Sequence, residues 1–268
     1  MNIISIAIQK GGSGKTTTAI NLGAALQLLG KKVLLIDLDP QANLTQAMGF
    51  EEPQPNLYDL FKSEFDGQAA DLSGAMLDTG GMKLLPASLD LAAAELELIG
   101  IYGREKILGV MLQSLDSAAF DYVLIDCPPA IGLLTVNALA ASQYVIMPLQ
   151  AEFLPLRGVH SFMRTFQKIQ RQLNPHIDLL GLVLTKYDER KTMNRNVLDQ
   201  LQSMYGNKVF NTQIRTNIEL AKAQEWGVDI FRHDKTSRGA TDYLQLAHEC
   251  LQRIEKNPTP PQHQPSSL

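Results

Sequence analysis

A glycine-rich segment with two lysines points most directly to chemistry. It runs from Lys10 to Thr17 as Lys-Gly-Gly-Ser-Gly-Lys-Thr-Thr, between an apolar stretch and a helical pattern. Glycines let successive backbone N–H groups curve around phosphate oxygens without a Cβ in the way. The N-terminus of the following helix adds partial positive charge. We therefore predict a loop that binds the phosphates of a nucleoside triphosphate.

Individual side chains of this loop have distinct predicted tasks. Lys15 is expected to reach the β- and γ-phosphates, the Thr16 hydroxyl to ligate Mg²⁺, and Thr17 to assist at the α-phosphate. The backbone cradle is expected from Gly11, Gly12, Ser13 and Gly14. The usual first glycine of such loops is replaced by Gln9, and a second lysine stands at Lys10. The segment is thus a variant of the common phosphate-loop pattern.

Aspartates follow two of the apolar runs. Asp37 and Asp39 come after residues 33–36, and Asp126 comes after residues 122–125. Open parallel sheets bind ligands at the carboxyl ends of their strands, so these carboxylates are expected near the phosphate loop. Asp126 is predicted to support Mg²⁺. Asp37 is expected to support the metal shell or a switch segment, or else to act only as a cap or turn former.

The elements that must position these residues follow an alternating pattern. Short apolar runs typical of buried strands occur at residues 3–8, 33–36, 82–86, 122–125, 144–147 and 179–184. Helical patterns occur at residues 15–29, 131–141, 156–173 and 194–205, and another helix starts near Asn56. This alternation predicts an α/β fold whose mostly parallel, twisted sheet of about seven or eight strands has helices on both faces. Residues 50–118 are less regular.

Composition excludes several classes of protein. The chain has 268 residues and a formal net charge of −4, which argues against a globally basic nucleic-acid-binding protein but not against a local basic patch. Cys127 and Cys250 lack a Cys-x-x-Cys partner, which argues against a disulfide scaffold or a zinc site.

We find no targeting signal and no apolar stretch of membrane-spanning length, and we expect a cytoplasmic protein. Residues 1–256 are expected to form one domain, followed by a disordered proline-rich tail at residues 257–268.

The loop with its additional lysine resembles the deviant Walker A motif of the ParA/MinD superfamily. Residues 37–43 (Asp-Leu-Asp-Pro-Gln-Ala-Asn) resemble its switch I segment, and residues 121–129 resemble its Walker B and switch II segments. Residues 150–158 are also similar to the family. The resemblance is closest to the ParA branch, the DNA-partitioning ATPases. It implies a P-loop NTPase fold, hydrolysis of ATP with Mg²⁺, and a homodimer in the ATP-bound state.

The resemblance also implies roles for particular residues. Lys10 would cross the dimer interface and contact the partner's phosphates, acting in catalysis together with Lys15. Asp39 would orient the attacking water beside the metal. The adenine base would lie near the turn at residues 185–188 and the segment at residues 213–217, where we single out Asn217. Hydrolysis is expected to be slow until an activator, a ParB-like protein or a cargo adaptor, stimulates it.

A further implication of the resemblance is nonspecific DNA binding by the ATP-bound dimer on the nucleoid. The candidate phosphate contacts lie in a modestly basic span and are Lys186, Arg190, Arg215 and Lys222. In the family a second DNA-binding arginine usually follows shortly after the position of Arg215, but Glu219 stands there in this chain. Steep salt dependence of DNA affinity is expected if these side chains contact phosphate.

Three alternative functions share features with this sequence. A MinD-like membrane ATPase ends in a basic amphipathic helix, whereas residues 257–261 here are rich in helix-breaking prolines. A reductase of the nitrogenase iron-protein kind needs two cysteines at a shared iron–sulfur cluster, and Cys127 and Cys250 are poorly placed for one. A ParA-like ATPase that positions protein cargo, such as a carboxysome or a chemoreceptor cluster, has nearly the same biochemistry and stays open.

Overall fold

The computed structural model describes residues 1–151 and 155–256, with no side-chain description for residues 155–157. Its strands are β1 (Asn2–Ile6), β2 (Val33–Asp37), β3 (Leu77–Asp78), β4 (Lys83–Leu85), β5 (Tyr122–Asp126), β6 (Tyr144–Gln150) and β7 (Asp178–Thr185). Its first helices are α1 (Lys15–Leu28), α2 (Asn43–Ala47), α3 (Leu57–Phe65), α4 (Leu72–Ala75), α5 (Leu91–Glu97) and α6 (Ile107–Gln113). The later helices are α7 (Leu133–Ala141), α8 (Pro155–Gln172), α9 (Thr192–Tyr205), α10 (Ile218–Glu225), α11 (Ile230–Asp234) and α12 (Arg238–Lys256).

The seven described strands form one sheet in the order β3-β4-β2-β5-β1-β6-β7. All neighbouring strands pair in parallel except β3 and β4, which pair antiparallel. The predicted mostly parallel α/β sheet is therefore confirmed. The antiparallel edge strand β3 was not predicted, because two residues are too few to show a periodic pattern. The predicted disordered tail lies outside the described residues, as do residues 152–154 of the family-like segment at 150–158.

Alternate residues of each strand pack against opposite helical layers, as the pleat of a strand requires. On β2, Leu34 and Ile36 join the apolar cluster that includes side chains of α3, α5, α6, α7, α8 and α9. Val33 and Leu35 join the cluster on the other face, with α1, α2, α10, α11 and α12. Both faces of the central strands are thus covered, which explains why their sequences are apolar without alternation.

Register at the centre of the sheet determines what meets at its carboxyl edge. Asp126 on β5 is aligned with Ile6 on β1 and with Asp37 on β2. The ends of β1, β2 and β5 therefore deliver the start of the glycine-rich loop and two aspartates to the same place. In the described ranges no helix has the length and apolar character that crossing a bilayer requires.

Arg253 fastens α12 to the β7 side of the sheet. Its guanidinium donates to the carbonyl oxygens of Leu180 at 2.9 Å and Val209 at 2.7 Å, and to Glu249 at 2.9 Å. The guanidinium carbon also lies 4.0 Å from the centre of the Phe210 ring. The Arg253 side chain is only 17% exposed. If its contacts were lost, little water would reach the groups that it now binds.

Replacement of Arg253 by alanine is expected to lower the free energy of unfolding by about 2–3 kcal/mol, because two carbonyl contacts and a stacked cation are lost together. Urea unfolding measured by circular dichroism tests this. Arg171→Ala, at an exposed arginine near the end of α8, is the matched control and should change stability by no more than about 0.5 kcal/mol. Equal effects of the two substitutions would contradict the assigned role of Arg253.

Candidate nucleotide site

A cavity of about 580 Å³ opens at the carboxyl edge of the sheet, within the size range of ordinary ligand sites. It is lined by the loop and helix start at residues 11–17, by Asp39, Gln41, Asn43, Pro129, Thr185 and Lys186, by residues 214–217, and by Leu220, Ala221, Gln224 and Tyr243. All of the predicted phosphate-loop residues that follow Lys10 are therefore brought together. The predicted base contact Asn217 lines the same cavity.

The glycines of the loop adopt conformations that other residues rarely take. Gly12 has φ +69° and Gly14 has φ +90°, both in the left-handed region. Gly14 is the residue before the first turn of α1. A Cβ at Gly14 would also contact the Thr185 side chain at 3.5 Å. The loop thus turns sharply into the N-terminus of α1, where free N–H groups favour an anion.

Two side chains at the ends of neighbouring strands hold the loop from outside. Gln150, the last residue of β6, donates its amide to the carbonyl oxygen of Gly12. Thr185, the last residue of β7, donates its hydroxyl to the carbonyl oxygen of Ser13 at 2.9 Å. Because both loop carbonyls are engaged outward, the loop's N–H groups are left for phosphate. The sequence analysis assigned no such role to Gln150 or Thr185. Each is a polar residue at the end of an apolar strand, and this feature could have marked them as candidates.

The two lysines of the loop occupy different positions. Lys15 lines the cavity, is 7% exposed, and donates from Nζ to the carbonyl oxygen of Lys10 at 3.3 Å. Lys10 is half-buried but does not line the cavity. Within the described part of the chain its ammonium has no recorded hydrogen bond or ion pair. Lys15 therefore faces the cavity of its own chain, whereas Lys10 does not line it.

The metal-binding candidates Thr16 and Asp126 are in direct contact. Thr16 donates its hydroxyl to Asp126 Oδ2 at 2.6 Å, while Asp126 Oδ1 is buried without a hydrogen-bond partner among the described residues. Burial, with the nearby carboxylates of Asp37 and Asp39, raises the pKa of Asp126 well above its ordinary value. An incoming cation stabilises such a carboxylate. A hydroxyl and an orphaned carboxylate oxygen are also the hard ligands that Mg²⁺ prefers, so the residues fit the ion.

The protein supplies only part of the shell of such an ion. Among the residues that the structure describes, no three Asp, Glu, His or Cys side chains are grouped as a metal cage. Mg²⁺ at a phosphate site does not need one, since it usually keeps several waters and takes phosphate oxygens as ligands. Bound there, the ion supplies positive charge that stabilises the transferring phosphoryl group.

Asp37 serves the segment that resembles switch I. It is fully buried, and its Oδ2 accepts hydrogen bonds from the backbone N–H and the hydroxyl of Thr45, at 2.8 and 2.7 Å. Burial raises the pKa of Asp37 to about 6, although the hydrogen bonds from Thr45 oppose the rise. Because Thr45 lies in α2, Asp37 anchors that helix to the end of β2. Asp37 also accepts from the backbone N–H of Asp39 at 3.3 Å, so its contacts include those of a cap and turn former, one of the roles that the sequence left open.

Asp39 lies on the cavity wall, as its predicted role requires. Its Oδ1 accepts from the backbone N–H of Gln41 at 3.0 Å, and the residue is 7% exposed. Ala42, three residues after Asp39, has φ +52°, an uncommon conformation for a residue with a side chain. The turn after β2 is therefore wound tightly, and it directs Asp39, Gln41 and Asn43 into the cavity.

The far end of the cavity is formed by α10. Asn217 caps this helix by accepting from the backbone N–H of Glu219 at 2.9 Å. Near the other end of α10, Gln224 donates its amide to the Thr17 hydroxyl at 3.1 Å. Helix α10 thus contacts both the predicted base region and the predicted α-phosphate residue. Gln224 was missed because its partner is distant in sequence and no local motif marks it.

The four predicted DNA-binding residues are not gathered into one free basic patch. Lys186 and Arg215 line the nucleotide cavity, and Arg190 and Arg215 line a neighbouring cavity of about 620 Å³. Three of the four are paired with carboxylates: Arg190 with Asp188, Arg215 with Asp242 and Lys222 with Glu219. Arg215 holds the buried Asp242 through several hydrogen bonds, whereas the Arg190 side chain is 86% exposed. Lys186 is also exposed and has no ion pair among the described residues, but it lines the nucleotide cavity, so Arg190 is the most exposed of the candidates outside that cavity.

Glu219, which stands where an arginine was expected, has a structural role. It accepts from Lys222 at 2.9 Å and lies 2.9 Å from Nε2 of His233 on α11. These partners lower the pKa of Glu219 below its ordinary value. A carboxylate in the first turn of α10 is also favoured by the helix dipole. Glu219 thus joins α10 to α11.

Comparison with known proteins reveals relatives over nearly the whole chain. A profile of the AAA domain family matches residues 1–179. The chromosome-partitioning ATPase Soj of Thermus thermophilus is 42% identical over 94% of this chain and 96% of its own length. The sporulation initiation inhibitor protein Soj of Bacillus subtilis is 39% identical over 92% of this chain and 97% of its own length. A solved structure from Mycobacterium smegmatis, described as cobyrinic acid a,c-diamide synthase with bound ATP analog and magnesium, superposes with a TM-score of 0.83 at 37% identity, covering 98% of this chain and 100% of that one.

The contact between Thr185 and the loop yields a testable expectation. Thr185→Val keeps the shape of the side chain but removes the hydroxyl that binds the Ser13 carbonyl. Loss of about 1 kcal/mol of loop preorganisation corresponds to roughly fivefold weaker ATP binding. Calorimetric titration with a non-hydrolysable ATP analogue tests this. Thr236→Val, at an exposed threonine outside the cavity, is the control, and affinities indistinguishable between the two variants would count against the contact.

Proposed function

We propose that this chain, which belongs to the ParA/Soj family of ATPases and hydrolyses ATP with Mg²⁺ as cofactor, partitions DNA under nucleotide control. In this proposal residues 1–256 form the ATPase domain, and its ATP-bound form is a sandwich homodimer that binds DNA of the nucleoid without sequence preference. A ParB-like or cargo-adaptor protein stimulates hydrolysis and so releases the DNA. The chromosome-partitioning role named for the Thermus relative favours a chromosome or plasmid as cargo.

The described residues suggest how hydrolysis is arranged. Lys15 and the loop N–H groups bind the phosphates, while Thr16 and Asp126 hold the metal. Asp39, on the wall of the same cavity, orients the attacking water. Each task is electrostatic or positional, which is what phosphoryl transfer needs from a protein.

The dimer is supported chiefly by the position of Lys10, and this single observation carries the proposal. Its ammonium neither lines the cavity of its own chain nor has a recorded partner among the described residues. A cation beside a phosphate site is free to neutralise phosphate charge on a second copy, across an interface that ATP bridges. ATP would then stabilise the dimer by mass action, because it binds the paired state better than the separate chains.

The ATP-dependent dimer and its DNA binding are tested together with three proteins: wild type, Lys10→Ala and Asp39→Ala. With ATP, wild type and Asp39→Ala should double their mass in sedimentation and bind duplex DNA, and Asp39→Ala should hydrolyse ATP at least about 100-fold more slowly. Lys10→Ala should remain a monomer and leave DNA unbound. ADP should support neither state. Dimerisation of Lys10→Ala with wild-type affinity would refute the role in the partner's site.

The DNA contact is proposed to involve Arg190 most strongly, with Lys186, Arg215 and Lys222 beside it. Arg190→Ala should weaken DNA binding by the ATP-bound dimer about tenfold at 50 mM salt and reduce the slope of log affinity against log salt by about 1. Fluorescence anisotropy with two unrelated duplexes measures both quantities. Lys62→Ala, at an exposed lysine on α3 that lines neither cavity, is the control. Equal affinity at 50 and 200 mM salt in wild type would eliminate phosphate contacts as the basis of binding.

A further inference from the structure

Helix α5 and the residues that flank it carry apolar side chains on a buried side and on an exposed side. Leu91 and Ala94 of α5, and Leu98 directly after it, are buried. On the exposed side, Leu89 just before the helix is 66% exposed and Leu96 is 71% exposed. Glu95 and Glu97 lie on the same helix, so the exposed leucines have polar neighbours. Large exposed apolar side chains rimmed by polar residues are typical of protein–protein contacts.

The exposed apolar surface continues beyond the end of α5. Ile99 is 60% exposed and the Tyr102 side chain is completely exposed. The loop that presents them is anchored, since Arg104 donates to the carbonyl oxygen of Ile99 at 2.6 Å and Asn137 donates to that of Arg104 at 2.7 Å. We call Leu89, Leu96, Ile99 and Tyr102 the α5 patch. Its large side chains are held outward by an ordered backbone, as at protein–protein contacts.

The start of α5 is tied to the segment that follows β2. The backbone N–H of Ala87 donates to the Thr45 hydroxyl at 3.0 Å, and that hydroxyl in turn donates to Asp37. Ala87 lies between the end of β4 and Leu89. One end of the α5 patch is thus two hydrogen bonds away from the carboxylate that neighbours Asp126.

The middle of α5 is in contact with the segment that follows β5. The Glu95 carboxylate lies against Gly132, at the place where a Cβ would stand. Its Oε1 is buried without a hydrogen-bond partner among the described residues. Gly132 directly precedes α7, and Pro129, three residues earlier, is exposed and lines the nucleotide cavity. Helix α5 therefore contacts the segment that follows β5, and Ala87, shortly before α5, is bonded to α2, which follows β2.

We infer that the α5 patch is covered by a second copy of this chain in the ATP-bound dimer, an inference that rests on the proposed function. Continuity supports this occupant: a partner whose Lys10 reaches the phosphates must cover the mouth of the cavity, where Pro129 lies, and Gly132 and Glu95 connect that mouth to α5. In a two-fold interface each copy then covers the patch of the other.

The area that a stable dimer needs supports the same occupant. Specific interfaces bury about 1,200–2,000 Å² in total, with an apolar centre and a polar rim. Lysine–phosphate contacts at two nucleotides supply charge but little apolar area. Four large apolar side chains from each copy supply the missing apolar part. ATP binding and patch burial then reinforce each other, because Glu95 of α5 contacts the segment after β5 and Ala87, before α5, is bonded to α2.

Surface substitutions test this inference. Leu96→Ser and Tyr102→Ser, singly and combined, should each weaken dimerisation at least tenfold in sedimentation experiments with a non-hydrolysable ATP analogue. The affinity of the monomer for the analogue should stay within twofold of wild type, because neither residue lines the cavity. Leu28→Ser is the matched control: Leu28 is 56% exposed and ends α1 at the opposite end from the phosphate loop. It should dimerise like wild type.

The outcomes separate this inference from the function on which it rests. If wild type dimerises with the analogue and the combined variant does so equally well, the inference is overturned and the proposed dimer stands. The patch would then belong to a different protein. If wild type itself stays monomeric, both are overturned. If only the α5 variants lose the dimer while their urea unfolding matches that of wild type, the patch is the apolar part of the interface.

Discussion

The structure depends on two carboxylates placed side by side at the ends of parallel strands. The register of β2 and β5 aligns Asp37 with Asp126, and both are buried. Such a pair is costly unless hydrogen bonds or cations compensate it. Thr45 satisfies Asp37, while Thr16 satisfies only one oxygen of Asp126. A metal ion bound at the phosphates would compensate the unpartnered oxygen of Asp126, so the fold would place part of the cofactor site before the ion binds.

Much of this arrangement follows from local sequence. The phosphate loop, the apolar strands and the strand-end aspartates are contiguous signals, and they predicted the sheet and most of the cavity. Gln150, Thr185 and Gln224 were not predicted to support the loop, because each acts on a partner more than 130 residues away. Topology brings those pairs together, and a single sequence does not reveal which polar side chain closes which contact. The short strand β3 was missed for lack of length.

The basic residues show a second limit of sequence reasoning. The sequence alone treats each basic residue of the modestly basic span as free, yet Arg215 holds a buried aspartate and Lys222 is paired with Glu219. When an arginine pairs with a buried carboxylate, its guanidinium N–H groups are already engaged. Removing such an arginine leaves the buried carboxylate without a compensating charge. Arg190 also has an acidic partner, but its exposure leaves it able to exchange that partner for phosphate. Ion pairing, exposure and position relative to the nucleotide cavity, rather than net charge, thus rank the candidates.

Apolar surface and nucleotide charge would contribute to dimerisation in different ways. Phosphates bridged by lysines make pairing depend on ATP, but exposed ionic contacts are screened by salt and add little net stability. In the proposed dimer, an apolar contact at the α5 patch would add stability but would not by itself respond to the nucleotide. The contacts of Ala87 with Thr45 and of Glu95 with Gly132 lie between the patch and the nucleotide cavity. A dimer that uses both contributions would be stable with ATP and would separate after hydrolysis.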